Sequence, residues 1–74
     1  MAKLVRLDST GHTPLAEWAS GDAEAHEAAV IAFRRELDRG MIGSWTRPDG
    51  TAEVVRELPA DAELVVMRRQ IAGG

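Results

Sequence analysis

One helix-forming segment, with short apolar runs on either side of it, most constrains what this chain can fold into. Residues 20–40 read SGDAEAHEAAVIAFRRELDRG. Ser20 or Asp22 can cap the start of a helix, and Gly40 stands where a helix commonly ends. The positions that would face a core recur at helical spacing: His26, Ala29, Val30, Phe33 and Leu37. We therefore predict a helix over residues 22–39 with one face turned to the core.

The residues before the helix indicate a hairpin of two strands. Residues 3–7 form a short run whose apolar members are Leu4, Val5 and Leu7. The turn formers DSTG follow at residues 8–11. The next run, PLAEWA, predicts a second strand. In that strand Pro14 belongs near the start or at a sheet edge, because proline has no N–H group to donate. Two such runs joined by a short glycine-containing loop are typical of a hairpin.

The residues after the helix indicate a second hairpin and a central last strand. The runs MIGSWT and AEVVREL flank RPDG, a turn of the kind that joins hairpin strands. Residues 64–67 then read LVVM, without any alternation of apolar and polar side chains. An unbroken apolar run of this length predicts a strand with neighbours on both sides.

The order of these elements predicts a two-layer α+β domain, in which one amphipathic helix covers one face of a mixed sheet. The order is strand, strand, helix, strand, strand, strand. A central last strand is most simply placed beside the first strand, in parallel, with a hairpin on either side. That arrangement is the β-grasp fold. With 74 residues the chain has room for one domain, which we place at residues 1–70, and residues 71–74 are expected to be a flexible tail.

Composition and charge disfavour several classes of function. The net charge is −3 and the nine basic residues are scattered apart from two Arg-Arg pairs, whereas nucleic-acid binding relies on neutralising several phosphates together. The chain has no cysteine, its two histidines lie far apart, and its first ten residues hold no long apolar stretch. We expect a cytoplasmic protein that uses no metal or cofactor and binds neither nucleic acid nor membrane.

The last residues carry a resemblance to a known family. The basic pair Arg68-Arg69 follows the predicted last strand directly, and the chain ends on Gly73-Gly74. With its N-terminal hairpin, single central helix and aliphatic final strand, the whole chain resembles the ubiquitin-like modifiers and sulfur carriers, of the type known from bacteria.

This resemblance implies a chemistry for the last glycine. In ubiquitin-like modifiers an E1-like enzyme adenylates the C-terminal glycine carboxylate with ATP and passes it to a thiol. In the related sulfur carriers the carboxylate becomes a thiocarboxylate. E2-like proteins and JAB-type peptidases are further partners that the resemblance implies. Gly74 would then be the activated residue, and Gly73 and Ala72 the slim segment that threads into the enzyme.

The sheet face that the helix leaves uncovered is the expected partner surface. Leu4, Val65 and Met67 form one candidate face, and the residues of opposite parity form the other, because both central strands are apolar on both sides. Trp45 joins these candidates since tryptophan is common among interface anchors. Arg68 and Arg69 are further candidates, because they can guide the tail onto an acidic surface.

Two other functions stay open beside that of a modifier or carrier. A small binding or assembly subunit, of a larger complex or of a virion, would use the same sheet face and leave the two glycines incidental. A stand-alone enzyme is disfavoured. Asp8, Ser9 and His12 have the residue types of a nucleophilic triad, but one tight turn cannot usually place them in relay geometry. We therefore expect a protein that is not an enzyme.

Overall fold

One helix packed on a five-stranded sheet makes up this computed structural model, which describes residues 1–9 and 11–69. The elements are β1 (Ala2–Asp8), β2 (Gly11–Trp18), α1 (Ala23–Asp38), β3 (Met41–Thr46), β4 (Ala52–Val55) and β5 (Leu64–Arg69). The predicted α+β class and the predicted order of elements are confirmed.

The sheet has the strand order β2-β1-β5-β3-β4, so the last strand is central. β5 runs parallel to β1 and antiparallel to β3. The outer pairs, β1 with β2 and β3 with β4, are antiparallel hairpins. This is the β-grasp arrangement predicted from the unbroken apolar run. The proline of β2 lies on an edge strand, as expected, beside an irregularity in the β1–β2 register.

The predicted boundaries of the helix are confirmed to within one residue at each end. Asp22 is the N-cap, and its side chain accepts a hydrogen bond from the N–H of Ala25 at 3.0 Å. At the other end Gly40 has a φ of 87° and donates its N–H to the carbonyl of Leu37 at 2.9 Å. Of the two candidate caps, the structure therefore uses Asp22 rather than Ser20.

The buried face of α1 is rotated relative to the predicted stripe. Phe33 is 1% exposed, and the other buried residues of the helix are Ala29 and Glu36. Phe33 lies directly over Gly43 of β3, where an added Cβ would come within 2.5 Å of the ring. This close approach centres the buried face on the line of residues 29, 33 and 36. The remaining members of the predicted stripe are only half-buried: His26, Val30 and Leu37.

Residues 56–63 differ from the predicted hairpin strand, since β4 covers only the first four residues of AEVVREL. The following residues form bends and turns that bring Leu58 and Ala62 into the core, where they are 6% and 1% exposed. The indole N–H of Trp18 donates to the carbonyl of Ala60, and Nε2 of His26 lies within hydrogen-bond distance of the Leu58 carbonyl. These contacts attach the segment to β2 and to the start of α1.

The turn between β3 and β4 uses the predicted RPDG residues. Gly50 has a φ of 90° and donates its N–H to the carbonyl of Arg47 at 3.0 Å. Asp49 accepts hydrogen bonds from the hydroxyl and the N–H of Thr51, at 2.7 and 2.9 Å. The hydroxyl of Thr51, followed by its N–H, favours the ionised carboxylate and lowers the pKa of Asp49 below its ordinary value.

Candidate functional site

The glycine tail predicted to be the reactive end lies outside the described residues. Ala72, Gly73 and Gly74 all fall within residues 70–74, so the structure defines this region as far as Arg69, where β5 ends. Because β5 is the central strand, its end lies between the two hairpins rather than at a sheet edge. The surfaces on either side of this end are therefore the candidate site.

Leu4, Val65 and Met67 belong to the core rather than to a partner surface. Each of them is 0% exposed and packs in the layer between the sheet and α1. A side chain with no exposed area cannot contact a partner in the folded protein. The prediction that these three residues bind a partner is therefore wrong. The alternating residues between them on the same strands, such as Val5 and Val66, form the uncovered face instead.

Trp45 lies on the helix side of the sheet and is half-buried. It pairs in register with Val65 of β5 and with Glu53 of β4. The guanidinium of Arg47 lies 4.4 Å from the centroid of the indole ring, within the range of a cation–π interaction. Arg47 also forms an ion pair with Glu53. These contacts hold the ring on the second hairpin, and its role as an interface anchor stays a prediction.

Arg68 and Arg69 are divided between the two faces of the sheet, because consecutive residues of a strand point to opposite sides. Arg69 pairs with Met41 and lines a groove on the helix side. Arg68 pairs with Ile42 on the uncovered side. The two arginines therefore belong to different surfaces and cannot act as one basic patch.

A row of four apolar residues and one buried serine crosses the uncovered face of the sheet. The strand registers place five residues side by side, one on each strand in turn: Pro14, Val5, Val66, Ser44 and Val54. The face exposes large apolar side chains, with Val54 at 59% and Leu7 at 42%. We call this surface the open sheet face and define it by its apolar members: Val5, Leu7, Ile42, Val54, Leu64 and Val66.

A second surface lies on the helix side, next to the ends of β5 and α1. It is a groove of about 820 Å³, which we call the arginine groove and define by four of its lining residues: Arg6, Glu36, Arg39 and Arg69. Oε1 of Glu36 accepts a hydrogen bond from Nη1 of Arg6 at 3.2 Å, and Oε2 accepts one from Nη1 of Arg39 at 3.4 Å. Glu36 is 4% exposed. The groove thus contains a buried carboxylate that is ion-paired from two sides.

The sequence reasoning missed the arginine groove. Its residues come from both ends of the sequence and from the end of the helix, and the predicted helix stripe leaves Glu36 out. One signal was present, since Glu36 follows Phe33 by three residues and Ala29 by seven. That spacing puts the three side chains on one helix face. A carboxylate there predicts a cationic partner on the sheet.

Neither surface by itself identifies a function, so a relative of known function would be informative. No protein family, curated protein or solved structure matches this chain. Within residues 1–9 and 11–69, no group of three or more His, Cys, Asp or Glu side chains could hold a metal ion. No helix in that part of the chain has the length and apolar character needed to cross a membrane.

Proposed function

We propose that the chain is a ubiquitin-like protein modifier whose Gly74 carboxylate is adenylated by an E1-like enzyme and then transferred to a target protein. The observation that carries the proposal is the position of β5, which is central in a β-grasp sheet. The last glycine follows the end of this strand by five residues. Five extended residues span at most about 18 Å. A segment of that reach can enter an enzyme's active site while the folded domain stays outside.

The proposed chemistry needs a slim segment and no catalytic group on the modifier. The Gly74 carboxylate attacks the α-phosphate of ATP, and pyrophosphate leaves. A thiolate of the activating enzyme attacks the carbonyl of the acyl-adenylate, and AMP leaves. An amine of the target then displaces the thiol and forms an amide. Gly73 and Gly74 have no Cβ and Ala72 has only a methyl group, so the backbone can approach the nucleotide closely. We place the reaction in the cytoplasm, where thiols stay reduced.

The open sheet face is the surface that we assign to recognition by partners. An E1-like enzyme, and beyond it an E2-like protein and a JAB-type peptidase, would have to select this domain from others. Exposed apolar side chains such as Leu7 and Val54, bordered by polar residues, are typical of protein interfaces. Arg68 lies on the same face beside Ile42, where it can pair with an acidic residue of the partner.

Mass spectrometry on N-terminally tagged protein, purified under denaturing conditions from its native host, tests the proposal. The intact mass of the free form first establishes whether Gly74 is its last residue. Species heavier by another protein, and joined to it through Gly74, would support amide transfer. Exchange of one carboxylate oxygen for sulfur at Gly74 would instead assign the chain to the sulfur carriers.

Two variants make this test specific to the tail. A chain lacking Gly73 and Gly74 should form no adducts. The matched control Arg34→Gln changes an exposed residue of α1 outside both surfaces, and it should form adducts at the wild-type level. Adducts that persist in the deletion variant would refute the proposal, as would finding only free, unmodified chain in cells where the protein is functional.

The exposed apolar side chains of Leu7 and Val54 favour a second candidate, a binding or assembly subunit that uses the open sheet face. A Val54→Lys variant separates the two, because Val54 is 59% exposed and its replacement leaves the core intact. An assembly subunit should lose its function in Val54→Lys and keep it when Gly73 and Gly74 are deleted. A modifier should lose its function when the two glycines are deleted, whatever the effect of Val54→Lys.

A further inference from the structure

We propose that the arginine groove binds an acidic peptide segment of a partner protein. This binding would involve only described residues and is independent of the chemistry of Gly74. The groove contains a carboxylate in an unfavourable place. Glu36 is 4% exposed and lies in the last turn of α1. Burial disfavours its charge, and so does the negative end of the helix dipole.

Two arginines stabilise this carboxylate, one at each oxygen. Nη1 of Arg6, on β1, lies 3.2 Å from Oε1 of Glu36. Nη1 of Arg39, the residue directly after α1, lies 3.4 Å from Oε2. The Nε atom of Arg6 also lies 3.7 Å from Oδ2 of Asp8. These contacts hold the guanidinium group of Arg6 in place before any ligand arrives, and the Glu36 contact positions that of Arg39. Less side-chain entropy is then lost when the ligand binds.

The groove keeps hydrogen-bond donors that Glu36 does not use. A guanidinium has five N–H donors, and the Arg39 side chain, which gives one of them to Glu36, is 67% exposed. Arg69 is exposed in the same groove, and no ion pair joins it to another residue within the described part of the chain. The three arginines outnumber the carboxylates of Glu36 and Asp8 by one. The groove is therefore locally cationic on a chain whose net charge is −3.

The charge pattern favours carboxylates over phosphates as ligands. Glu36 and Asp8 both line the groove and leave it one excess positive charge, which a singly charged side chain balances and a dianionic phosphate exceeds. Nucleic acid binding depends on neutralising several phosphates at once, and one excess positive charge is too few for that. Guanidinium groups pair with carboxylates through two parallel hydrogen bonds. Met41 also lines the groove and offers apolar contact to the stem of a glutamate or to a neighbouring residue.

Titration of ¹⁵N-labelled protein with the peptide acetyl-Gly-Glu-Glu-Glu-Glu-Gly-amide tests the inference. We expect saturable NMR shifts at the backbone amides of Arg39, Met41 and Arg69, and no such shifts with the peptide that carries Gln in place of Glu. The affinity should fall as NaCl is raised from about 20 to about 200 mM, because exposed charges are screened over shorter distances at higher salt.

Two double variants distinguish the groove from general charge attraction. Arg39→Gln with Arg69→Gln removes two charges from the groove. Arg34→Gln with Arg56→Gln removes the same charge from exposed positions outside it. We expect the groove variant to bind the peptide about tenfold more weakly, the product of two exposed charge contacts worth roughly threefold each. The control variant should bind the peptide with an affinity within about twofold of that of the wild type. The dispersion of the amide spectrum verifies that both variants are folded.

Several results would overturn the inference. Equal weakening in the two double variants would show attraction without a site, and shifts confined to the open sheet face would place the peptide elsewhere. Tighter binding of inorganic phosphate than of the glutamate peptide would contradict the assigned ligand class. The absence of saturable shifts in the wild type up to roughly 10 mM peptide would also refute the inference. Binding would then be weaker than a binding free energy of about −3 kcal/mol.

Discussion

Replacing Gly43 by alanine tests how α1 packs on the sheet. The added Cβ would lie 2.5 Å from Cε1 of Phe33, 2.9 Å from its Cζ, and 3.2 Å from the carbonyl oxygen of Val55. Contacts under 3.0 Å force a movement. Phe33 is 1% exposed, so its ring has no solvent to move into and the helix itself must shift.

Two opposing effects determine how much Gly43→Ala changes the free energy of unfolding. Overpacking a filled core costs about 1–3 kcal/mol of unfolding free energy. Replacing glycine by alanine returns about 0.4–1 kcal/mol by lowering the entropy of the unfolded chain, because Gly43 is not among the glycines with positive φ. We therefore expect a net loss of about 1–2 kcal/mol. In a domain of this size, that lowers Tm by roughly 5–15 °C.

The assay monitors urea and thermal unfolding by circular dichroism. The proteins compared are the wild type, Gly43→Ala, Phe33→Leu and the double variant. Leucine lacks the ring atoms that the new Cβ would meet. The double variant should therefore lose less stability than the sum of the two single variants, by about 1 kcal/mol. Additive losses, or wild-type stability in Gly43→Ala, would refute the role assigned to this contact.

Three further predictions concern single side chains. Asp22→Ala removes the cap of α1 and should cost about 1 kcal/mol in urea unfolding, whereas Asp22→Asn, which still caps, should lose little. Thr51→Val removes the main cause of the lowered pKa of Asp49, so an NMR titration should show this pKa rising, and no change would contradict the assigned cause. Because the folded pKa is the lower one, the stabilisation linked to Asp49 is present at neutral pH and is lost as the pH falls below about 4. Trp18→Phe removes a buried indole and its hydrogen bond and should cost about 1–2 kcal/mol. Trp45→Phe, at a half-buried ring, should cost less, and equal losses would contradict the assignment of Trp18 to the core.

The order of elements was predictable because each element has a local cause in the sequence. Asp22 and Gly40 bound the helix through their capping geometry, and RPDG closes the second hairpin through turn chemistry. The unbroken run at residues 64–67 favours a strand with neighbouring strands on both sides, and β5 has this central position. These causes act within a few residues of the chain, so they were visible without the fold.

The features that were not predictable depend on contacts between distant residues. Burying Leu4 with Val65, or Val5 with Val66, removes similar apolar areas from water, so the pattern alone could not select the face that the helix covers. The burial of Glu36 depends on Arg6, which is thirty residues earlier in the chain. The sheet face that is buried and the position of the arginine groove both depend on how the helix packs on the sheet.

The central position of β5 also makes folding depend on how far translation has proceeded. Among the described strands, β5 alone pairs with both hairpins, and it is the last of them to be synthesised. Before residues 64–69 have emerged from the ribosome, no strand joins the two hairpins into one sheet for α1 to pack on. Hairpins and single helices are marginally stable in water by themselves. Prematurely terminated chains would therefore stay open to proteolysis, and every folded copy would come from a chain whose synthesis had passed through β5.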